Sequence, residues 1–262
     1  MRNRRVLVTG GGTFLGDNVA AALLANGVDV TLLVRPGAED HLGPLQQRAR
    51  CYTADVWDPA SLRGRARNHA SVIHTVGSLI ADPAQGLTYH RLNFVSARNV
   101  ANMCVTDGVP HIVLLSSARA PWINRRYLST KRDAERYVKR IGLKASIIRA
   151  PILYVRGQPR PLFYQLMTLL GGLPPVSWLG FNHMAPMPVD ILARGVARIA
   201  LEGPQERTVF YAPDLRRRNS RHERRGLAPL LPTGHPGQPY SPYAFHYPED
   251  DVPFGWTPDS KA

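Results

Sequence analysis

The chain has 262 residues, of which 44% are hydrophobic and 8% aromatic, enough apolar content for one large α/β domain with an appended lobe. Its two cysteines, Cys51 and Cys104, lie outside any CxxC pair, so we expect neither a disulfide framework nor a metal site. That usage fits the reducing cytoplasm. No segment approaches the ~20 uninterrupted apolar residues of a membrane span, so no transmembrane segment is expected.

The formal net charge of +14 is the most unusual feature of the composition. Arginines are spread along the chain, with clusters at residues 63–67 and 216–225. We interpret them as solvated basic faces in preference to a polyanion site, because no aromatic residues are interleaved with them in the way that RNA-binding surfaces require. A nucleic-acid partner is therefore not expected.

The first 35 residues contain the strongest local pattern. It consists of a β-branched strand at Val6–Val8, a turn at Gly10–Gly12, a helix at Leu15–Asn26 that stops at Gly27, and a second strand at Val28–Val34. Glycines at such a turn let the backbone approach a pyrophosphate, and the N-terminus of the following helix offers unpaired N–H groups. The pattern predicts a dinucleotide-binding βαβ unit.

Strands and helices continue to alternate after this unit. We predict strands at residues 50–54, 71–76, 111–116 and 145–149, and helices at 59–67, 87–107 and 124–141. This rhythm is typical of an α/β fold with a doubly wound parallel sheet of the Rossmann type.

Beyond Pro151 prolines and glycines become frequent. We predict helices at residues 162–170 and 189–201, a strand at 208–211, and a solvated helix end at 222–225. Residues 1–150 are then the nucleotide-binding domain, 151–225 a small C-terminal lobe interleaved with it, and 226–262 an extended tail.

Tyr127 and Lys131 are spaced four residues apart at the start of a predicted helix, on one of its faces. An ammonium beside a phenol favours the phenolate and lowers the phenol pKa towards the range of a general acid/base. Ser116 and Ser117 end the preceding strand, at the sheet edge where ligands bind. We predict these four residues to be catalytic: a serine orients a substrate oxygen, Tyr127 exchanges the proton and a cofactor exchanges hydride.

Together the motifs resemble the short-chain dehydrogenase/reductase superfamily, in its extended or atypical type related to NAD(P)-dependent epimerases and dehydratases. The resemblance runs from Val6 to about Ala212. The matching segments are the TGxxGxxG-like turn Thr9–Gly16, with Thr13 in place of the middle glycine, and residues 54–62, 74–77, 92–100, 147–154 and 187–193.

The resemblance implies cofactor contacts along the edge of the sheet. Asp55 and Val56 would meet the adenine, Lys131 the ribose, and the segment of Pro151 and Ile152 the nicotinamide. The remaining implied residues are Gly10, Gly12, Thr13, Phe14, Leu15 and Gly16 of the turn, Thr75, Val76 and Gly77 after the fourth strand, and Asn93.

Cofactor choice depends on the end of the second strand. An acidic residue there would bind the ribose 2′-hydroxyl and select NAD, but this chain has Val34 followed by Arg35. A guanidinium suits a 2′-phosphate, so we predict NADP, with NAD as the alternative.

Two functions stay open. One is an NAD(P)-dependent oxidoreductase or epimerase acting on a sugar- or isoprenoid-like small molecule in the cytoplasm. The other is a non-catalytic NADP(H)-holding accessory subunit or redox sensor, docked on a larger assembly as in the complex I branch of the superfamily, at the periphery of a membrane. The presence of the Tyr-Lys pair favours the enzyme.

Overall fold

The computed structural model describes residues 4–121, 123–156, 183 and 185–230. Its strands are β1 (Arg5–Gly11), β2 (Asp29–Val34), β3 (Arg50–Thr53), β4 (Ser71–His74), β5 (Ile112–Ser117), β6 (Ala145–Ala150), β7 (Leu153–Tyr154), β8 (Met187–Pro188) and β9 (Val209–Phe210). Its α-helices are α1 (Phe14–Ala25), α2 (Ser96–Thr106), α3 (Arg125–Arg140), α4 (Val189–Glu202), α5 (Ala212–Arg217) and α6 (Arg221–Arg224). Within the described residues, the other elements are two 3₁₀ segments, Glu39–Gln47 and Pro83–Gln85, and a π-helical segment, His90–Val95.

Seven strands form one parallel sheet in the order β3-β2-β1-β4-β5-β6-β9, while β7 and β8 form a separate parallel pair. The chain runs outward from β1 to β3 on one side and from β4 to β6 on the other. The strand order therefore reverses between β1 and β4, and in open α/β sheets ligands bind at the carboxyl ends of the strands beside such a reversal. The α/β, doubly wound prediction is confirmed.

The sheet is buried on both faces, as a parallel sheet requires. Val6 and Val8 of β1 pack on one side with α1 and α4, and Leu7 packs on the other with α2 and α3. Successive strand residues point to opposite faces, so one short apolar run serves two separate cores. No helix in the described part of the chain is both long and apolar enough to cross a bilayer.

One predicted helix is wrong. Residues 59–67 form successive turns, with backbone bonds between residues three apart, such as Arg63 N–H to the Ala60 carbonyl at 3.3 Å. Gly64 adopts a left-handed φ of 72°, and its N–H and that of Ala66 donate to the Asp107 carboxylate at 3.2 and 2.8 Å. A partner distant in sequence therefore holds the backbone groups that an α-helix would have paired internally.

A second difference from prediction concerns the helix end at residues 222–225, which the sequence predicts to be solvated. Glu223 is buried, not solvated, and pairs with Arg194 at 3.3 Å and Arg198 at 2.6 Å. Its partners lie on α4, so the short helix α6 is anchored to the body of the domain. The predicted helix at 162–170 and the tail beyond residue 230 lie outside the described residues, and the predicted domain boundaries stay predictions.

Candidate functional site

The glycine turn after β1 has the geometry that the sequence predicts. Gly10 and Gly12 take φ of 85° and 79°, which residues with a side chain rarely adopt. A Cβ on Gly16 would lie 2.0 Å from the Gly10 carbonyl oxygen, so α1 packs directly on the turn. The turn thus brings the N-terminus of α1 to the sheet edge, where first-turn N–H groups bind anionic oxygens.

Thr13, which replaces the middle glycine of the turn, is the N-cap of α1. Its backbone is extended, with φ of −112°, so glycine is not needed at this position. Its hydroxyl donates to the Gly10 carbonyl at 2.7 Å and accepts from the Gly16 N–H at 3.2 Å. Thr13 therefore stabilises the turn, because its hydroxyl makes an N-cap hydrogen bond that glycine could not make.

Asp17, which the sequence reasoning missed, lies buried beneath the turn. Its carboxylate accepts the Gly12 N–H at 2.9 Å. Burial raises the pKa of Asp17 well above its usual value, although the Gly12 bond opposes this. The signal for it in the sequence was an acidic residue in the first turn of the helix.

A cavity of about 420 Å³ opens at the carboxyl ends of β4, β5 and β6. Nine predicted site residues line it: Leu15, Thr75, Gly77, Ser116, Ser117, Tyr127, Lys131, Pro151 and Ile152. Seven further residues, mostly apolar, complete the described wall: Leu79, Ile80, Leu115, Ile123, Asn124, Ala150 and Leu153. Residues from five separate segments of the chain thus converge on one space.

Tyr127 and Lys131 occupy the first turns of α3, which Asn124 caps by accepting the Arg126 N–H at 2.8 Å. Lys131 Nζ lies 5.9 Å from the centre of the Tyr127 ring and donates to the Leu115 carbonyl at 3.3 Å. Both side chains are buried.

Burial dominates the protonation of this pair. It raises the pKa of Tyr127 to about 12, although the neighbouring Ser117 side chain and the charge of Arg132 act in the opposite direction. It lowers the pKa of Lys131 to about 8, against the charge of Glu135. The Tyr127 pKa is therefore shifted upward, opposite to the predicted direction, because removing the phenolate from water outweighs the effects of Ser117 and Arg132.

Gly77, which lines the cavity, lies in close contact with Lys131 and with Asn93 of the π-helical segment. A Cβ on Gly77 would lie 2.5 Å from Lys131 Nζ and 2.6 Å from Asn93 Oδ1, so the ammonium passes directly over the glycine backbone. Asn93 lies on the π-helical segment that precedes α2, a distortion often found at functional sites.

Comparison with known proteins identifies the family. The family model described as NAD(P)H-binding matches residues 10–165, more than half of the chain. The chain belongs to this NAD(P)H-binding family. The match begins at the first glycine of the turn and takes in all five segments that line the cavity.

Solved structures share the fold of this family member. A UDP-glucose 4-epimerase from Bifidobacterium longum, crystallised with NAD+ and UDP, is 19% identical with a TM-score of 0.57, covering 79% of this chain and 76% of its own. A UDP-N-acetylglucosamine 4-epimerase from Bacillus cereus is 16% identical with a TM-score of 0.55, covering 79% and 74%. A dTDP-glucose 4,6-dehydratase mutant from Streptomyces venezuelae, crystallised with NAD, is 20% identical with a TM-score of 0.54, covering 74% and 70%.

The solved structures show that the chain shares the fold of NAD-bound epimerases and dehydratases, and the family match confirms the prediction of an NAD(P) cofactor. The residues of the NAD(P)H-binding chain fit such a group. The glycine turn and the α1 N-terminus can hold a pyrophosphate, and Leu15, Pro151 and Ile152 give the cavity an apolar wall for a nicotinamide ring.

Ten predicted residues lie outside the cavity wall. Seven of them adjoin residues of the wall. The five residues of the glycine turn and Val76 lie together beside Thr75, which Gly10 contacts, and Asn93 contacts Gly77. Three others follow the outer strands. Arg35 follows β2, while after β3 the Asp55 carboxylate accepts the Trp57 N–H at 2.8 Å and the Val56 side chain is fully buried. Their contacts with an adenosine stay predictions.

A buried ionic network behind the site was missed. Glu135 pairs with Arg149 across to β6, with Nη2 and Oε2 2.7 Å apart, and with Arg132 on its own helix. Ser116 Oγ donates to Glu135 at 2.6 Å and accepts from Arg132 at 3.0 Å. Arg132 also donates to the Ser117 carbonyl at 2.8 Å. The visible signal was a glutamate four residues after Lys131, which repeats the helical spacing.

Proposed function

We propose that this chain is an NAD(P)-dependent oxidoreductase or epimerase in which Tyr127 is the general acid/base. The observation that carries the proposal is the single cavity that brings together Tyr127, Lys131 and Ser117 at the edge of a nucleotide-binding sheet. Each of these side chains is buried or nearly so, and such a concave, largely apolar site with a few convergent polar groups is typical of an active site.

A bound nicotinamide dinucleotide would supply hydride chemistry at the mouth of the glycine turn. Tyr127 then exchanges a proton with the substrate oxygen, which the Ser117 hydroxyl orients. Lys131 holds a positive charge beneath the phenol and binds the ribose. At neutral pH the raised pKa of Tyr127 keeps the phenol protonated, so it is ready to donate its proton.

Ser117 suits the orienting role better than Ser116 does. The Ser116 hydroxyl already donates to Glu135 and accepts from Arg132. The Ser117 hydroxyl donates to the Ala118 carbonyl at 3.1 Å and lies close enough to Tyr127 to influence its pKa. We therefore assign Ser116 to the support of the site and Ser117 to the substrate.

The test replaces Tyr127 with phenylalanine. Tyr127→Phe should abolish turnover of a carbonyl probe while the dissociation constant for NADPH, measured by its fluorescence, changes little. Tyr137→Phe is the matched control: Tyr137 lies on the same helix, its hydroxyl bonds Asn102 at 2.6 Å, and it is not among the cavity residues. Equal turnover in wild type and Tyr127→Phe would contradict the mechanism.

Three finer points belong to the proposal. NADP is the expected form of the dinucleotide because Arg35 follows β2. The expected location is the cytoplasm, which both cysteines support since they are free thiols. Dinucleotide that is bound by the wild type without turnover of any carbonyl or alcohol would instead favour an accessory subunit that only holds the cofactor.

A further inference from the structure

The loop that follows β4 is held rigidly on one side of the cavity. The Asn93 side chain pairs with both backbone groups of Ser78, accepting its N–H at 3.0 Å and donating to its carbonyl at 2.9 Å. The Ser78 hydroxyl in turn donates to the Ile80 carbonyl at 2.6 Å and accepts the Ile80 N–H at 3.0 Å. Tyr89 donates to the Leu79 carbonyl at 3.1 Å. The side chains of Asn93, Ser78 and Tyr89 thus bind the backbone of this loop at three successive residues.

The loop presents apolar side chains to the cavity. Leu79 and Ile80 line one part of the wall, and Ile123 and Leu153 belong to it as well. Ile80 is 46% exposed, and of the four large apolar side chains exposed in the described part of the chain it is the one that lines the cavity. A rigidly held, exposed isoleucine at a cavity wall is a surface that an apolar ligand group would cover.

The loop is also connected to the proposed acid. The Tyr89 ring, whose hydroxyl fixes Leu79, contacts the Tyr127 ring edge-on with centroids 6.0 Å apart. A substrate whose oxygen meets Tyr127 therefore has its neighbouring atoms beside this apolar loop.

The charge of the cavity wall also favours an apolar ligand group. Among the described residues that line the cavity, Lys131 is the one charged side chain, and it is buried beneath Tyr127. The described wall thus offers an apolar surface beside one buried cation, whereas recognition of a diphosphate favours bidentate arginines.

We propose that the substrate carries an apolar group, aliphatic or aromatic, directly beside its reacting carbon, and that Leu79 and Ile80 bind this group. The inference rests on the proposed function and specifies its substrate class. In the reducing direction the carbonyl carbon gains a hydride from the reduced dinucleotide and the oxygen gains a proton from Tyr127. The C=O π bond, one C–H bond of the reduced dinucleotide and the O–H bond of Tyr127 break, one C–H and one O–H bond form in the product, the dinucleotide is oxidised by two electrons, and solvent returns a proton to Tyr127.

The experiment uses the full chain, loaded with NADPH for the ketone probes and with NADP+ for the alcohol probe. Acetophenone and 2-octanone serve as the apolar ketone probes, and UDP-glucose, which carries alcohols and no free carbonyl, is the nucleotide-sugar probe. We expect turnover of an apolar probe, followed by nicotinamide absorbance. Ile80→Asn should lower its kcat/KM about tenfold or more with the NADPH dissociation constant unchanged, since a polar group then faces the apolar part of the substrate. Because Ile80 is exposed, this variant is expected to fold.

Val105→Asn is the matched control. Val105 is 54% exposed on α2 and is not a cavity residue, so its loss of apolar surface should leave kcat/KM unchanged. An equal loss in Val105→Asn and Ile80→Asn would contradict the inference.

Failure of the two proposals can be told apart. Turnover of UDP-glucose alone, abolished in Tyr127→Phe, would overturn the substrate class and keep the proposed function. If nothing turns over, the proposed function fails, and calorimetric titration of acetophenone into the NADPH-loaded protein still tests the pocket. Binding that weakens about tenfold in Ile80→Asn would support the apolar site, and no binding to the wild type would overturn it.

Discussion

Removing the charge of Glu135 tests whether the ionic network behind the cavity stabilises the domain. Glu135 is 4% exposed, and its two arginine partners each retain 24% side-chain exposure. Glu135→Gln keeps the shape of the side chain but leaves Arg132 and Arg149 without their shared counter-charge. Breaking a fully buried ion pair costs about 3–5 kcal/mol; because solvent reaches both arginines, we expect roughly 2–4 kcal/mol here.

The matched control is Asp133→Asn. Asp133 pairs with Arg136 on the same helix with the same three-residue spacing as Arg132 and Glu135, but these side chains are 36% and 70% exposed. An exposed pair contributes about 0–1 kcal/mol. The assay is urea unfolding of both variants at neutral pH, followed by far-UV circular dichroism. A loss in Glu135→Gln within about 0.5 kcal/mol of that in Asp133→Asn would refute the reasoning.

The pH dependence of stability gives a second test of the Glu135→Gln variant. Burial raises the pKa of Glu135, but its bonds with Arg149 and Ser116 and the charges of Arg132 and Arg149 outweigh this and lower it overall. A carboxyl whose folded pKa is lowered stabilises the protein above its ordinary pKa of 4.5 and loses that contribution as the pH falls through the folded value. The stability difference between wild type and Glu135→Gln should therefore be constant at neutral pH and shrink in acid.

Three further changes probe the site. Gly77→Ala should lower the free energy of unfolding by roughly 1–3 kcal/mol and weaken NADPH binding, because φ is 153° and the new Cβ would collide with Lys131 and Asn93. The control in urea unfolding is Gly108→Ala, where φ is 72° and no atom lies near the new Cβ, so that this variant measures backbone strain without a collision. Burial lowers the pKa of Lys131 from 10.5 to about 8, so the unfolded protein binds more protons than the folded protein between about pH 8 and 10.5. In urea unfolding without dinucleotide, the stability of wild type should therefore rise relative to that of Lys131→Met over this range. A stability difference that does not change with pH would contradict the lowered pKa. Arg35→Ala should raise the NADPH dissociation constant about tenfold or more and spare NADH in fluorescence titrations, and equal effects on both would exclude 2′-phosphate recognition.

Local patterns predicted the parts of the site that are local in the chain. The glycine turn needs only neighbouring residues, because positive φ at Gly10 and Gly12 and the contact with Gly16 arise within one βα unit. Tyr127 and Lys131 share a helix face by spacing alone. Their meeting with Ser117 followed from the rule that parallel strands present their carboxyl ends at one edge.

Long-range contacts decided what the sequence did not predict. The Glu135–Arg149 pair joins α3 to β6, and the Asp107 carboxylate holds the turns that replace the helix predicted at 59–67. Neither partner has a fixed spacing that a sequence pattern could show. The pKa of Tyr127 was mispredicted for the same reason, since burial depends on every segment that covers the ring.

The protonation of the pair bears on the direction of the proposed reaction. With pKa values of about 12 for Tyr127 and about 8 for Lys131, the site at neutral pH holds a neutral phenol over an ammonium. A neutral phenol donates a proton to a carbonyl oxygen at once, whereas accepting one from an alcohol first requires the phenolate, which the buried site disfavours. The apolar wall is part of the burial that raises this pKa. In the proposed mechanism, Tyr127 at neutral pH is therefore in the protonation state that carbonyl reduction requires.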